Sequence, residues 1–336
     1  MISTKKRVAI NGFGRIGRAA FKIALEKQDI EVVAINDLTH ADVLAHLLQY
    51  DTAYGHYRKQ TTVRDGRLVV DGMAFPVYAE PDPQKLPWKE LGVDVVLECT
   101  GRFTDKQSAA QHIAAGAKKV ILSAPSKGED VSIPSFLLGV NEDTYADETV
   151  VSNASCTTNS LAPVAKVLDL AFGIEKAMMT TIHSYTADQN IQDGPHKDLR
   201  RARAAAQNIV PTTTGAAIAV TQVMPELVGL FDGIAVRVPT IVVSLIDFTF
   251  LLKRKTTREE INQTLKDAAE NPRYQNVLAV TEAPLVSSDF IGNPHSSIVD
   301  LSLTMVIDGD LVKVIAWYDN EWGYSNRLVE LAQLIG

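Results

Sequence analysis

The stretch Ser155-Cys156-Thr157-Thr158-Asn159-Ser160 gathers a thiol, several hydroxyls and a carboxamide. It follows a strand-like Thr149-Val150-Val151 and precedes an apolar-periodic segment, residues 161–170, which places the thiol at a strand-to-helix turn. N–H groups at a helix start stabilise a thiolate, and the flanking polar groups can hold an oxyanion or a phosphate. That is the pattern of a cysteine nucleophile. The alternative, a small buried hydrophobe, suits Cys99 in the apolar run Val95-Val96-Leu97-Glu98-Cys99. A thiol nucleophile needs a base. Among the 7 histidines, His183 alone ends a strong strand-like run, Met178-Met179-Thr180-Thr181-Ile182, beside a long polar segment. Its imidazole can take the thiol proton, hold the pair as thiolate and imidazolium, and later accept a proton from a hemithioacetal hydroxyl. The alternative is an ordinary strand-end histidine. Arg237, inside the apolar Ile234-Ala235-Val236-Arg237-Val238, needs a buried anionic partner, either a structural carboxylate or a phosphate. Thr212-Thr213-Thr214-Gly215 puts hydroxyls and a glycine at a helix start, a second anion-binding arrangement.

Gly12-Phe13-Gly14-Arg15-Ile16-Gly17 fits the G-x-G-x-x-G pattern of a dinucleotide cradle. Three glycines alone are a weak signal. The frame strengthens it, because a strand precedes the motif, an amphipathic helix follows, and Asp37 ends the next strand about 20 residues beyond Gly17. Gly12 permits the turn, Gly14 lets the backbone approach a pyrophosphate, and Gly17 lets helix and sheet pack closely. Asp37 is suited to ribose hydroxyls and would repel a 2′-phosphate, which selects NAD over NADP.

These groups must be positioned by a chain of 336 residues, a length that predicts two domains. Strand-like and amphipathic stretches alternate through the first half, the rhythm of βαβ units, with hairpin strands at 61–77 expected at the edge of the parallel sheet. After residue 151 the strand-like runs are longer and closer together, at 177–183, 234–238, 240–252, 298–308 and 311–318. Helices are expected there at 160–171, 216–223 and 257–269, and an antiparallel or mixed sheet fits this half. Residues 184–211 form a long polar loop whose Arg200, Arg201 and Arg203 suit salt bridges better than substrate binding. The fold class is α/β, a Rossmann-type doubly wound parallel sheet plus an α+β catalytic domain with a mostly antiparallel sheet. A net charge of -7 argues against nucleic acid as the main partner. Two cysteines make no disulfide framework, and no Cys or His pairs have structural-zinc spacing, so no metal is expected. The N-terminal residues 1–7 offer no signal-peptide pattern, and the most apolar segment, 236–252, is broken by Arg237, Pro239 and Asp247. No membrane association is expected, and the compartment expected is the cytoplasm.

Taken together, several motifs resemble the glyceraldehyde-3-phosphate dehydrogenase family over essentially the whole chain. They are Ile10-Asn11-Gly12-Phe13-Gly14-Arg15-Ile16-Gly17-Arg18, Asn36-Asp37, Glu98-Cys99-Thr100-Gly101, Ser123-Ala124-Pro125-Ser126, Ser152-Asn153-Ala154-Ser155-Cys156-Thr157-Thr158-Asn159, Arg237-Val238-Pro239-Thr240 and Trp317-Tyr318-Asp319-Asn320-Glu321-Trp322-Gly323. The resemblance implies an NAD-binding domain at 1–155, with a C-terminal helix at 320–336 packing back on it, and a catalytic domain at 156–319. It implies that Cys156 attacks the aldehyde of glyceraldehyde 3-phosphate with His183 assisting, that hydride passes to NAD, and that inorganic phosphate releases 1,3-bisphosphoglycerate from a thioacyl intermediate. By the same match Thr186 and Arg237 bind the substrate phosphate with Asp188 nearby, while Ser155, Thr157, Thr214 and Gly215 hold the attacking phosphate. Gly12, Gly14, Arg15, Ile16, Gly17, Asp37, Ser123 and Asn320 fall at cofactor positions, Asn320 at that of the residue orienting the nicotinamide amide. The family is homotetrameric, with the long loop near a neighbouring subunit's cofactor. Ser160 replaces a second cysteine common in the family, which excludes a local disulfide with Cys156. Pro81 replaces an arginine frequent beside the adenine, which implies weaker NAD binding. The rival with the same fold and nucleophile is erythrose-4-phosphate dehydrogenase, in which hydrolysis replaces phosphorolysis; the two phosphate-binding segments favour phosphorolysis. A non-catalytic dinucleotide- or RNA-binding protein is the reading from another class.

Overall fold

The computed structural model describes residues 5–126 and 133–336; residues 1–4 of the N-terminal segment read above lie outside them. The chain divides into two compact units, one of Met1–Phe136, Asp143–Ala154 and Ser325–Gly336, the other of Leu137–Glu142 and Ser155–Tyr324.

The first unit opens with β1 (Lys6–Asn11), α1 (Arg15–Ala24), β2 (Ile30–Asn36) and α2 (Ala41–Gln49). Short strands follow, β3 (Tyr50–Asp51), β4 (Gly55–His56), β5 (Thr61–Arg64), β6 (Arg67–Val70), β7 (Met73–Phe75) and β8 (Val77–Tyr78). Then come β9 (Val95–Glu98), α3 (Lys106–Ala114), β10 (Lys119–Leu122) and β11 (Val150–Ser152). Six of these strands form one sheet in the order β11-β10-β9-β1-β2-β8, every pair parallel. Val95, Val96 and Leu97 are fully buried, as a strand covered on both faces requires. Strand order reverses between β1 and β9, where a crevice opens at the carboxyl ends of the strands. The hairpin strands expected at 61–77 at the edge of this sheet form a sheet of their own: β5, β6 and β7 pair as strands with each other, and β8 joins the parallel edge. The tight turns at Asp65-Gly66 and Asp71-Gly72, all at positive φ, close the hairpins on themselves.

Two glycines of the first turn are required by close approach. An ideal Cβ on Gly12, at φ 92°, would lie 2.7 Å from Thr100 N, and one on Gly17 would lie 2.0 Å from Gly12 O. Gly17→Ala is therefore expected to destabilise this unit by about 1–3 kcal/mol or more, read as a lowered urea midpoint. An unchanged midpoint would mean that the α1–β1 contact is looser than this.

The second unit contains α4 (Cys156–Phe172), β12 (Ile174–Ser184), β13 (Val210–Thr213), α5 (Ala216–Val223), β14 (Phe231–Val238) and β15 (Ser244–Leu252). It continues with α6 (Arg258–Glu270), β16 (Leu278–Thr281), β17 (Ser297–Asp300), β18 (Met305–Ile307) and β19 (Leu311–Tyr318); α7 (Trp322–Ile335) begins here and continues into the first unit. The sheet order is β13-β14-β12-β15-β19-β17-β16, with β18 on β19. Only β12–β14 and β16–β17 are parallel. Along β15 the buried residues are Ser244, Ile246, Phe248, Phe250 and Leu252, the period-two signature of a sheet covered on one face. The other face exposes Met178 and Ile234.

Local chemistry explains where expectation and structure part. The helix expected from 160 starts at Cys156, because Ser155 caps it by accepting the Thr158 N–H at 3.0 Å. Pro163 lies inside α4 and does not end it. Thr257 caps α6 in the same way, accepting from Glu260 N. The strand expected at 298–308 is broken by a 3-10 turn at Leu301–Leu303. The one expected from 240 begins only at Ser244, after Val243 at φ 71°. β13, whose first two residues end the segment read as loop, pairs antiparallel with β14.

Candidate active site

In the first unit the end of β1, Gly12 and Gly14 of the glycine turn and Cys99-Thr100 just after β9 line a cleft of about 280 Å³ with Asp37, Pro81, Arg102 and Phe103. Asp37 fixes the turn, its Oδ2 accepting Phe13 N–H at 2.7 Å and its Oδ1 accepting Thr39 N–H at 2.9 Å. Gly14 stands at the N-cap of α1, so no side chain caps the first turn, and an ideal Cβ there meets no protein atom within 4 Å. Uncapped N–H groups beside open space fit a dinucleotide pyrophosphate. Arg15 and Ile16 lie in that first turn; the Arg15 guanidinium pairs with Asp51 at 2.7 Å and lies over the Tyr54 ring. Ser123 follows β10, its N–H donating to Glu98 O. Cys99 is a poor nucleophile here, since burial and the Glu98 carboxylate push its thiol up to about 12.

Beneath the cleft runs a buried polar chain. Trp88 Nε1–H donates to His112 Nδ1 at 2.9 Å, leaving Nε2 to donate to Glu98 Oε2 at 3.1 Å. Asn11 Nδ2 donates to the same Glu98 oxygen at 2.6 Å, and Asn36 Nδ2 donates to Asn11 Oδ1 at 2.7 Å. These residues make the floor of the cleft a hydrogen-bonded unit.

In the second unit Cys156 is the first residue of α4, and its Sγ lies 3.6 Å from His183 Nε2. Alternation along β12 buries Ala177, Met179, Thr181 and His183 on one face. Ser184 O lies 2.6 Å from His183 Nδ1, a distance that requires a proton on Nδ1. Nε2 of the neutral ring is then an acceptor facing the thiol. Burial, and then the charge of Arg237, push the imidazole down to about 3; burial pushes the Cys156 thiol up, against the Thr157 hydrogen bond and the Arg237 charge. Burial thus favours the neutral thiol beside the neutral imidazole, and Nε2, 3.6 Å from Sγ, is the acceptor placed to take the proton when sulfur attacks.

Tyr318, which sequence reasoning did not single out, braces this pair. Its hydroxyl lies 2.9 Å from both Thr157 Oγ1 and Thr181 Oγ1, and its ring meets the His183 ring edge-on at 6.0 Å. Arg237 Nη1 donates to Thr186 Oγ1 at 2.9 Å and to Ser184 O at 3.2 Å, while its Nε is buried with no hydrogen-bond partner. A buried, unpaired guanidinium N–H fits an anionic ligand. Thr186 Oγ1 donates to Asp188, and Arg201 donates to the other Asp188 oxygen, to Thr212 Oγ1 and to Thr213 O. Arg203 pairs with Asp193 at 2.7 Å, so both arginines form ion pairs within the loop. The Ser155 hydroxyl is engaged with Thr158, Thr214 Oγ1 accepts Ala216 N–H at 3.2 Å, and Gly215 is the N-cap of α5. Asn320 is buried and accepts a hydrogen bond from Ser244. Among the described residues no cluster of three or more His, Cys, Asp or Glu could hold a metal ion. No described helix is long and apolar enough to cross a membrane.

A parallel sheet ordered for dinucleotide binding, with an uncapped glycine turn, and a mixed sheet that faces a thiol with an imidazole define a nicotinamide-dependent oxidoreductase of the α/β class. Residues 6–106 match the glyceraldehyde 3-phosphate dehydrogenase NAD binding domain, and residues 155–320 match the C-terminal domain of the same family. The chain is 57% identical over 331 residues to glyceraldehyde-3-phosphate dehydrogenase of Geobacillus stearothermophilus, and 56% identical over 331 residues to glyceraldehyde-3-phosphate dehydrogenase 1 of Bacillus subtilis (strain 168), with 98% of each chain covered in both cases. It is 55% identical to the enzyme of that name from Borreliella burgdorferi, covering 97% of this chain and 98% of that one. The chain belongs to the glyceraldehyde-3-phosphate dehydrogenase family, the NAD-dependent oxidoreductases that carry out the oxidative phosphorylation step of glycolysis.

Proposed function

We propose that the chain oxidises glyceraldehyde 3-phosphate to 1,3-bisphosphoglycerate through a thioacyl intermediate on Cys156. The carrying observation is the 3.6 Å approach of Cys156 Sγ to an imidazole whose Nδ1 proton is held by Ser184 O. His183 Nε2 takes the thiol proton as sulfur adds to the aldehyde carbon and returns it to the resulting oxyanion, which gives the hemithioacetal and leaves Nε2 free to act again. The same nitrogen then accepts the hydroxyl proton while the C–H bond delivers hydride. Bound NAD supplies the hydride acceptor. Phosphate attacks the thioacyl carbonyl and the thiolate leaves, which restores the nucleophile.

The substrate's own phosphate is assigned to Arg237 and Thr186, with Asp188 holding Thr186 and Arg201 in place. Ser155, Thr157, Thr214 and Gly215 are assigned to the attacking phosphate, in support of which Ser155 is the N-cap of α4 and Gly215 that of α5. For the cofactor the assignment is Gly12, Gly14, Arg15, Ile16, Gly17 and Ser123 on the dinucleotide, Asp37 on the adenosine ribose and Asn320 on the nicotinamide. The division of labour is between residues 1–155 and the catalytic residues 156–319. A homotetramer is supported by the uncovered sheet face with its exposed Met178, Ile234 and Ile307, and by Ile191, Leu199 and Ile209 standing out from the long loop. The compartment is the cytoplasm.

The test is NADH formation from glyceraldehyde 3-phosphate and NAD with and without inorganic phosphate, with erythrose 4-phosphate and NADP run in parallel. Turnover that requires phosphate and falls sharply with NADP is expected. Phosphate-independent oxidation of the tetrose would transfer the chain to the hydrolytic rival.

A further inference from the structure

One buried hydroxyl joins the groups around the base. Ser244 opens β15 and is 2% exposed. Its Oγ accepts the main-chain N–H of Ser184 at 3.2 Å and donates to Asn320 Oδ1 at 2.9 Å. It also contacts the Tyr318 hydroxyl, Tyr318 being its directly paired residue on β19. Ser184 in turn holds the base, its carbonyl taking the Nδ1 proton of His183. A single side chain thus touches the strand end that carries the imidazole, the tyrosine that braces it and the carboxamide of Asn320.

The turn that delivers Ser244 is strained. Val243 has φ 71° and is 2% exposed, and it is the one β-branched residue at positive φ among those described. Such a conformation is costly for a branched side chain and persists where the surroundings over-determine it. Here the Val243 carbonyl accepts the Ser184 hydroxyl at 2.7 Å, and Thr240 Oγ1 donates to Ser184 Oγ at 3.3 Å. The same contacts that hold the turn bring Ser244 Oγ to Asn320.

A carboxamide has an acceptor end and a donor end of nearly equal size, so the partner at one end decides which the other end presents. With Oδ1 taken by the Ser244 hydroxyl, Asn320 presents its NH2 group as a donor. A carboxamide ligand meeting that donor must turn its oxygen toward it. We propose that Ser244 is a positioning residue that locks the Asn320 carboxamide with its NH2 group outward, and thereby fixes which face of the nicotinamide ring receives hydride. This rests on the assignment of Asn320 to the nicotinamide.

The test uses glyceraldehyde 3-phosphate deuterated at the aldehyde carbon, with the face of the reduced nicotinamide that carries deuterium read by proton NMR. The unaltered enzyme is expected to label one face. Ser244→Ala is expected to place on the order of 5% or more of the deuterium on the other face and to raise KM for NAD about fivefold, the loss of one hydrogen bond. Ser244→Thr, which keeps the hydroxyl, should restore single-face transfer. A folded Ser244→Ala that labels one face with an unaltered KM overturns the proposal. Should the alanine variant not fold, Ser244→Cys, similar in shape and a weak donor, carries the same readout. Asn320→Ala separates the two levels: if it scrambles the label and Ser244→Ala does not, only the Ser244 proposal fails, whereas if it also labels one face the nicotinamide assignment fails with it.

Discussion

Cys156→Ala is expected to lower turnover by about 10⁴-fold or more while NAD still binds. In the proposed reaction Cys156 Sγ holds the substrate carbon between hydride transfer and phosphate attack, and Cys99 offers no substitute with its thiol pushed up to about 12. Removing Sγ leaves α4 capped by Ser155, since the cap uses the Thr158 N–H and not the thiol. Folding should therefore survive. The measurement is NADH formation under saturating substrates, with NAD affinity followed separately by calorimetry. Retention of even a hundredth of normal activity, in protein free of unaltered enzyme, would remove Cys156 as the nucleophile. Loss of NAD binding together with turnover would mean that the substitution damages more than the reaction.

His183→Asn is expected to lower kcat by about 10² to 10⁴-fold and to move Cys156 alkylation by iodoacetamide to higher pH. The sign follows from the raised thiol and from the geometry beside it. Burial raises the thiol from its ordinary 9.0, so the thiol alone ionises late. Beside His183 it need not release its proton to water, because Nε2 stands 3.6 Å away and the product charges attract. Asparagine can accept a hydrogen bond from the thiol but cannot keep its proton, which leaves the buried thiol to titrate unaided above pH 9. Alkylation profiles that coincide for the two proteins would show that the imidazole does not take the thiol proton. The tautomer argument adds a control: because the Ser184 main-chain carbonyl holds Nδ1–H, Ser184→Ala keeps that contact and should shift the alkylation profile less than His183→Asn does.

Both expectations start from residues that could be picked out one at a time. Polar neighbours on either side mark Cys156, and a strand end beside a long polar segment marks His183; such signals are local. The tie between them is not. Tyr318 is one of 9 tyrosines, and nothing in its neighbours says that its hydroxyl lies between two threonines, one at the start of α4 and one on β12. Ser184 and Ser244 were equally invisible, because a serine's role here is decided by hydrogen bonds to chain segments 60 to 76 residues away. The loop arginines show the same division. Salt bridges were expected of them in a long polar loop and form at Arg201 and Arg203, but Arg201 reaching Asp188, Thr212 and Thr213 together depends on how β13 pairs with β14.

By itself the sequence determined the alternation of strand and helix in the first half, hence a parallel sheet, and the glycine turn with a strand-ending aspartate, hence a dinucleotide. It did so because periodicity, the positive φ of Gly12 and the approach of Gly17 to Gly12 O act within a few residues of the chain. The tertiary structure alone decided that β5, β6 and β7 stand apart from the parallel sheet and that a valine is held at φ 71°. It decided too that the half-buried Arg237 keeps its buried Nε–H without a hydrogen-bond partner. Each of these is a balance between a local preference and hydrogen bonds made at long range, and only the folded chain brings both sides of the balance together.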